Sequence, residues 1–127
     1  MERISLIPAF KDARGEITDL LENENINAIT RITFSKGAVR GNHYHKQTTQ
    51  WNYLISGRIM LVSQVPGEPM VETVMNPGDF TVTKPHVRHA LVGLDDAELL
   101  VFTSGPRGGK EYESDTFRLD VPLAAGT

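Results

Sequence analysis

Apolar residues in this chain come in short bursts, and turn-forming residues cut them every several positions. The bursts at 16–21, 28–34, 50–56, 58–64, 70–75, 79–83, 90–93 and 98–104 are candidate strands. Between them lie Lys36-Gly37, Ser56-Gly57, Pro66-Gly67, Asn76-Pro77-Gly78 and Gly105-Pro106. Some bursts alternate: Ala28, Thr30, Ile32 and Phe34 fall on one face of a strand, Arg31 and Thr33 on the other. No stretch keeps a helical period for three turns, and residues 19–23 offer one helical turn at most. Many short strands at even spacing predict an all-β sandwich or barrel. The apolar runs on either side of Gly57 read as a hairpin.

The 127 residues suit a single domain, 1–127, since domains run to roughly 100–200 residues. Its barrel core is expected at about 28–104, followed by a polar, Gly-rich loop at 105–116 and a tail at 117–127 with a frayed end. Lys and Arg number 13 against 16 Asp and Glu, a net charge of -3, which argues against nucleic acid or an acidic membrane as partner. With 0 Cys, disulfides, thiolate metal sites and Cys nucleophiles are excluded. The first residues lack a basic region followed by a long apolar one, and runs such as Leu99-Leu100-Val101-Phe102 fall far short of the about 20 residues of a membrane span. The expectation is a cytoplasmic protein with a small-molecule substrate.

The 4 histidines come in pairs, His43 with His45 and His86 with His89. Residues two apart on a strand share a face, so His43 and His45 converge. Residues three apart do not, so His89 is expected in the same cavity and His86 away from it. Gln50 follows at the head of the next strand. Three imidazoles and an amide suit either a divalent metal or acid–base work. Taken alone, a His pair at short spacing is more often structural than functional.

The frame around the pair weighs the other way. Gly37-x5-His43-x-His45-x4-Gln50-x6-Gly57 is followed by Pro77-Gly78-Asp79-x5-Pro85-x3-His89. Together these resemble the two motifs of the cupin superfamily. The resemblance implies a double-stranded β-helix, the cupin jelly-roll barrel. It also implies a ligand set of His43, His45, Gln50 and His89 for a divalent metal such as Zn, Ni, Mn or Fe. Gln50 stands where metal cupins usually have Glu, and His86 replaces a usual Gly. A neutral amide offers an oxygen but no charge, which weakens a metal site.

A narrower resemblance lies in Arg40-Gly41-Asn42-His43-Tyr44-His45-Lys46 with Gln50. It is similar to the Arg-Gly-x-His-Ala-His-Lys-x3-Gln motif of nucleotide-sugar 3,4-ketoisomerases, cupins that work without a metal. Asp12-Ala13-Arg14-Gly15-Glu16-Ile17 resembles the lead-in of that group and of sugar-nucleotide epimerases. The run from Tyr112 to Arg118 is similar to tails of cupin domains in surface-polysaccharide pathways. This resemblance implies isomerase or epimerase chemistry on a nucleotide-linked keto sugar. His43 or His45 would be the base, and Gln50 would orient one ring. Arg40, Arg14 and Arg88 are candidates for the pyrophosphate, because a guanidinium fork suits phosphate. Lys46 reads better as a solvated loop charge. The alternatives are a metal-binding, dioxygenase-like cupin and a non-catalytic binding module.

Other signals fail. Gly105-Pro106-Arg107-Gly108-Gly109-Lys110 is not a P-loop, since Glu111 follows the lysine where Ser or Thr is needed. It reads as a solvent loop or a flap over the barrel mouth. His86-Val87-Arg88-His89 is no helical zinc motif, because Pro85 precedes it. Trp51 and Tyr53 share the face opposite Gln50 and Asn52 and suit sheet packing or a dimer interface. Open strand edges in a barrel of this size predict a homodimer, with the N-terminal strand and the Trp51 face as contributors.

Overall fold

The computed structural model describes residues 2–106 and 111–125. Strands are β1 (Glu2–Ile4), β2 (Phe10–Asp12), β3 (Gly15–Ile17), β4 (Ala28–Phe34), β5 (Val39–Tyr44) and β6 (Thr49–Ser56). There follow β7 (Ile59–Gln64), β8 (Val71–Met75), β9 (Phe80–Thr83), β10 (Arg88–Gly93), β11 (Ala97–Ser104) and β12 (Phe117–Arg118). A 3-10 helix, Glu111–Asp115, precedes β12. Two five-stranded sheets, β1-β9-β6-β11-β4 and β12-β5-β10-β7-β8, form the jelly-roll barrel. Among the described residues, no helix is long and apolar enough to cross a membrane.

Alternation decides what each sheet turns inward. On β11, Ala97, Leu99, Val101 and Thr103 are buried and the residues between them are half-exposed. Phe34, Leu54, Ile59, Leu61, Met75, Leu99 and Val101 pack together and fill one part of the barrel. A second cluster lies on the other face of the first sheet. There Trp51, Phe80 and Val82 are covered by Ile4, Leu6, Leu20, Leu21 and Ile26. The Trp51 face is thus sheltered by the chain's own N-terminal segment.

Three expectations need correction. The runs flanking Gly57 are not a hairpin: β6 pairs with β9 and β11, whereas β7 pairs with β8 and β10. Gly57 instead turns the chain from one sheet to the other. Its φ is 75°, and a Cβ there would lie 2.2 Å from the Asp96 carbonyl oxygen, so only glycine fits. The 105–116 loop is not structureless, since it holds the 3-10 helix; residues 107–110 lie outside the described residues. The tail is docked as far as Ala124: Asn42 Oδ1 accepts from Leu123 N at 2.9 Å and Ala124 N at 3.1 Å, and Asn42 Nδ2 donates to Ala124 O at 3.0 Å.

The hairpin β2–β3 stands apart as its own two-stranded sheet, with Phe10 and Ile17 exposed. The N-terminal strand β1 adds to the edge of the first sheet through β9.

Candidate active site

The part of the barrel left unfilled is a cavity between the sheets. Ile32, Leu91, Leu99 and Val101 form its apolar side. His43, His45, His89, Gln50, Asn52 and Thr83 form its polar side, with Arg40 and Pro106 also lining it. No carboxylate is among the described residues that line it.

Three strand features assemble the imidazoles. His43 is on β5 and His45 just beyond its end, two residues on and so on the same face. His89 is on β10, directly opposite His43. The register slips beside His89, and Asn42 is the extra residue on β5. Gly41 and Asn42 both adopt positive φ there, 89° and 58°. A Cβ on Gly41 would lie 2.9 Å from the His89 carbonyl oxygen, so glycine lets the strands close up beside the site. Ring centroids are 4.8 Å apart for His43 and His45, 4.6 Å for His43 and His89, and 5.2 Å for His45 and His89. Ligand nitrogens of all three lie within 4.8 Å of one another.

Main-chain carbonyls set two of the tautomers. His45 Nδ1 lies 2.8 Å from the Asp115 carbonyl oxygen, and His89 Nδ1 lies 3.0 Å from that of Val87. A carbonyl only accepts, so each Nδ1 carries a proton, and in the neutral ring the lone pair is then on Nε2. His45 Nε2 is buried with no partner among the described residues. Burial first, then the electrostatic influence of the nearby His45 and Arg118, pushes His43 down to about 4. Burial, then His43, pushes His89 down to about 3, against the opposing pull of the Val87 hydrogen bond. Both rings are neutral at pH 7.

His86 sits outside, in a separate groove with Tyr44, Lys46, Pro66 and Arg88, as its spacing from His89 predicts. Arg88 and Lys46 therefore face away from the cavity. Lys46 Nζ lies 4.2 Å from the centre of the Phe117 ring. Arg14 is on the hairpin, paired with Asp12 at 2.6 Å, and within this chain it does not reach the cavity. Arg40 is at the rim, its Nη2 donating to the Thr33 carbonyl at 3.1 Å. The Gln50 side chain lines the cavity without a hydrogen bond to any described residue.

Sequence reasoning likened the run from Tyr112 to Arg118 to cupin tails but gave no residue in it a role. β12 pairs with β5 so that Arg118 lies directly opposite His43, on the same face of the sheet. Among the described residues the Arg118 guanidinium is in no ion pair. Asp115 is only 3% exposed and sits beneath His45. Burial raises its carboxyl, but hydrogen bonds from Thr48, Gln47 and Lys46 outweigh that and hold it below the usual range. Both lie in that run, but nothing in its local pattern ties either residue to the histidines.

Solved structures share this architecture. A double mutant of the QdtA 3,4-ketoisomerase from Thermoanaerobacterium thermosaccharolyticum, in complex with TDP, is 26% identical. The match has a TM-score of 0.72 and covers 91% of this chain and 86% of that one. The WlaRB TDP-quinovose 3,4-ketoisomerase from Campylobacter jejuni gives a TM-score of 0.77 at 18% identity, covering 93% and 92%. The rmlC epimerase of Mycobacterium tuberculosis gives 0.74 at 14%, covering 92% and 67%. No curated protein matches in sequence. Residues 30–104 match the cupin domain, a segment running from β4 through β11 and carrying all three imidazoles of the cavity. With more than half its length in that match and its two sheets closed as a jelly roll, the chain belongs to the cupin domain family.

Proposed function

We propose that the protein is an isomerase or epimerase of a nucleotide-linked keto sugar, working by histidine acid–base chemistry in surface-polysaccharide metabolism. The observation that carries this reading is a cavity in which three imidazoles cluster beside the Gln50 amide, with no carboxylate among the described residues that line it. Likeness to TDP-binding 3,4-ketoisomerases supports the substrate class. In the simplest version the sugar carries its ketone at C4. A neutral imidazole takes the proton from C3, and the C3–H electrons form an enediol as the C4 oxygen gains a proton. Return of a proton to C4 while the C3 hydroxyl loses one leaves the ketone at C3. A base must be unprotonated and reachable. His43 meets both needs, being neutral at pH 7 and less buried than His45 or His89. Gln50 orients without adding the charge that would favour imidazolium. Arg40, and Arg118 opposite His43, are the cations we assign to the diphosphate. The test is incubation with TDP-4-keto-6-deoxyglucose, a ligand of one QdtA structure, in deuterated water. Deuterium uptake and an isomerised sugar are expected. Binding without either would reduce the protein to a binding module.

A second reading is favoured by the two locked tautomers. Metal-binding histidines typically donate their other ring nitrogen to a carbonyl or carboxylate, as His45 and His89 do. The donor set fits a divalent ion such as Zn, Ni, Mn or Fe, held by His43, His45 and His89 with Gln50 as a neutral oxygen donor. Such an ion would polarise a substrate oxygen. Elemental analysis of protein purified without chelator separates the two: stoichiometric metal favours this reading.

The proposal includes a homodimer. A lone two-stranded hairpin is marginal in water, and β2–β3 leaves Phe10 and Ile17 exposed. A monomer mass in light scattering at micromolar concentration would count against it.

A further inference from the structure

We propose that Asp115 is a positioning residue for His45: its carboxylate braces the turn after that histidine and so holds its own main-chain carbonyl against Nδ1. The single residue holds both the His45 ring and the turn that follows it. Its carbonyl oxygen takes the Nδ1 proton at 2.8 Å. Its carboxylate takes the next three residues in order, Lys46 N at 3.0 Å, Gln47 N at 2.9 Å and Thr48 Oγ1 at 2.7 Å. Asp115 and Thr48 are both buried, each 3% exposed, so these bonds are shielded from water. A free neutral imidazole can carry its proton on either nitrogen. With Nδ1 held, the lone pair is confined to Nε2, which is buried and unpartnered among the described residues. Asp115 is 70 residues from His45 in sequence and lies beyond the matched cupin segment, which ends at residue 104. One half of the chemistry at His45 is thus set by a segment outside the two His motifs.

Asp115 does not hold its segment alone. β12 pairs with β5, Leu119 N donates to the Asn42 carbonyl at 2.9 Å, and Asn42 clasps Leu123 and Ala124. Loss of the carboxylate should therefore loosen the carbonyl under His45 without releasing the tail. His89 supplies an internal control, because its Nδ1 is held by Val87, a separate carbonyl. The functional weight of this assignment rests on the acid–base reading above; its test does not, since no substrate is involved.

The experiment reads the imidazole tautomers by long-range proton–nitrogen correlation in 15N-labelled, full-length protein with chelator present, near pH 7.5. In wild type, His45 and His89 should each show a single Nδ1–H tautomer. In Asp115→Ala, His45 should lose that single state and His89 should keep it. In Asp115→Asn, which retains one carbonyl oxygen for the turn, His45 should lie between. A wild-type His45 protonated at Nε2, or a His45 unchanged in both variants, overturns the proposal. So does a simultaneous change of His45 and His89 in both variants, since Asp115 would then serve the fold as a whole.

Discussion

The rings of His43 and His89 meet edge-on, 4.6 Å between centroids and 86° between planes, across the β5–β10 pair. Both imidazoles are neutral in the folded protein, and burial is the main cause. Two protonated rings at that separation would repel in a cavity with no carboxylate among its described lining residues to offset them.

Stability of the metal-free protein should accordingly fall on mild acidification. The unfolded chain takes up protons as pH drops through the ordinary histidine value of about 6.5, whereas the folded chain resists until about 4 at His43 and about 3 at His89. The depressed folded values mean that stability is complete above about 6.5 and is lost progressively below it. Between pH 7 and pH 5 each histidine should contribute about 2 kcal/mol of loss. Urea unfolding with chelator at pH 7, 6 and 5 measures this, and His89→Gln should flatten the curve. Equal stability at pH 7 and pH 5 would mean that the rings are not held neutral.

Gly41→Ala should destabilise more than Gly37→Ala. The two glycines have nearly the same φ, 89° and 88°, so the left-handed backbone costs each alanine about the same, roughly 1–2 kcal/mol. The difference is contact. A Cβ at Gly37 meets nothing within 4 Å, whereas one at Gly41 lies 2.9 Å from the His89 carbonyl oxygen and 3.2 Å from the Ala90 Cα. Both neighbours are backbone, so β5 would have to move off β10. Denaturant midpoints of the two variants should separate, and identical midpoints would remove the reason given for Gly41.

Arg118→Ala should weaken TDP binding and leave stability unchanged. The side chain shares a face with His43 and is in no ion pair among the described residues. Loss of a charged hydrogen bond is worth roughly 1.5–3 kcal/mol, so affinity should fall about tenfold or more. Lys46→Ala is the comparison, because Lys46 packs over Phe117 on the outer face. Calorimetry with TDP should find the second variant near wild type. If both variants lose affinity alike, the effect is one of overall charge.

What the sequence revealed follows from the range of the interactions concerned. His43, His45 and His89 were legible because strand periodicity puts i and i+2 on one face and motif spacing places the third ring. Strand β4 was legible to the residue because its buried face alternates with an exposed one. Strand β5 was absent from the candidate strands, although Val39–Tyr44 carries the site. Its inward residues line a polar cavity, and Gly41-Asn42 interrupts the alternation, so no apolar burst marks it. The hairpin reading at Gly57 failed because a local turn signal says nothing of which sheet each flanking strand joins. Asp115 and Arg118 lie in a run likened to cupin tails, but their roles at the site were not legible for a similar reason. Their partners lie 67 to 70 residues away or across a sheet, in a segment with no period of its own.

Gln50→Glu separates the two readings of the site. The side chains are nearly isosteric, and that of Gln50 lines the cavity without a hydrogen bond to a described residue, so the fold should survive. The change places a carboxylate in a cavity whose described lining residues carry none. If the three imidazoles hold a divalent ion, a negative oxygen beside it should raise affinity by about tenfold or more, since even outer-shell changes move metal binding 10–100-fold. If they are an acid–base set, the carboxylate instead favours imidazolium and raises His43 from its depressed value of about 4. A base so raised is protonated over more of the pH range. The acidic limb of the rate profile should then shift upward, with activity lost first on the acid side and recovered at higher pH. Metal content and a pH–rate profile, measured on both proteins, decide between the two. Unchanged metal affinity together with an unchanged profile would show that Gln50 does not act on the cluster, and both readings would lose their fourth residue.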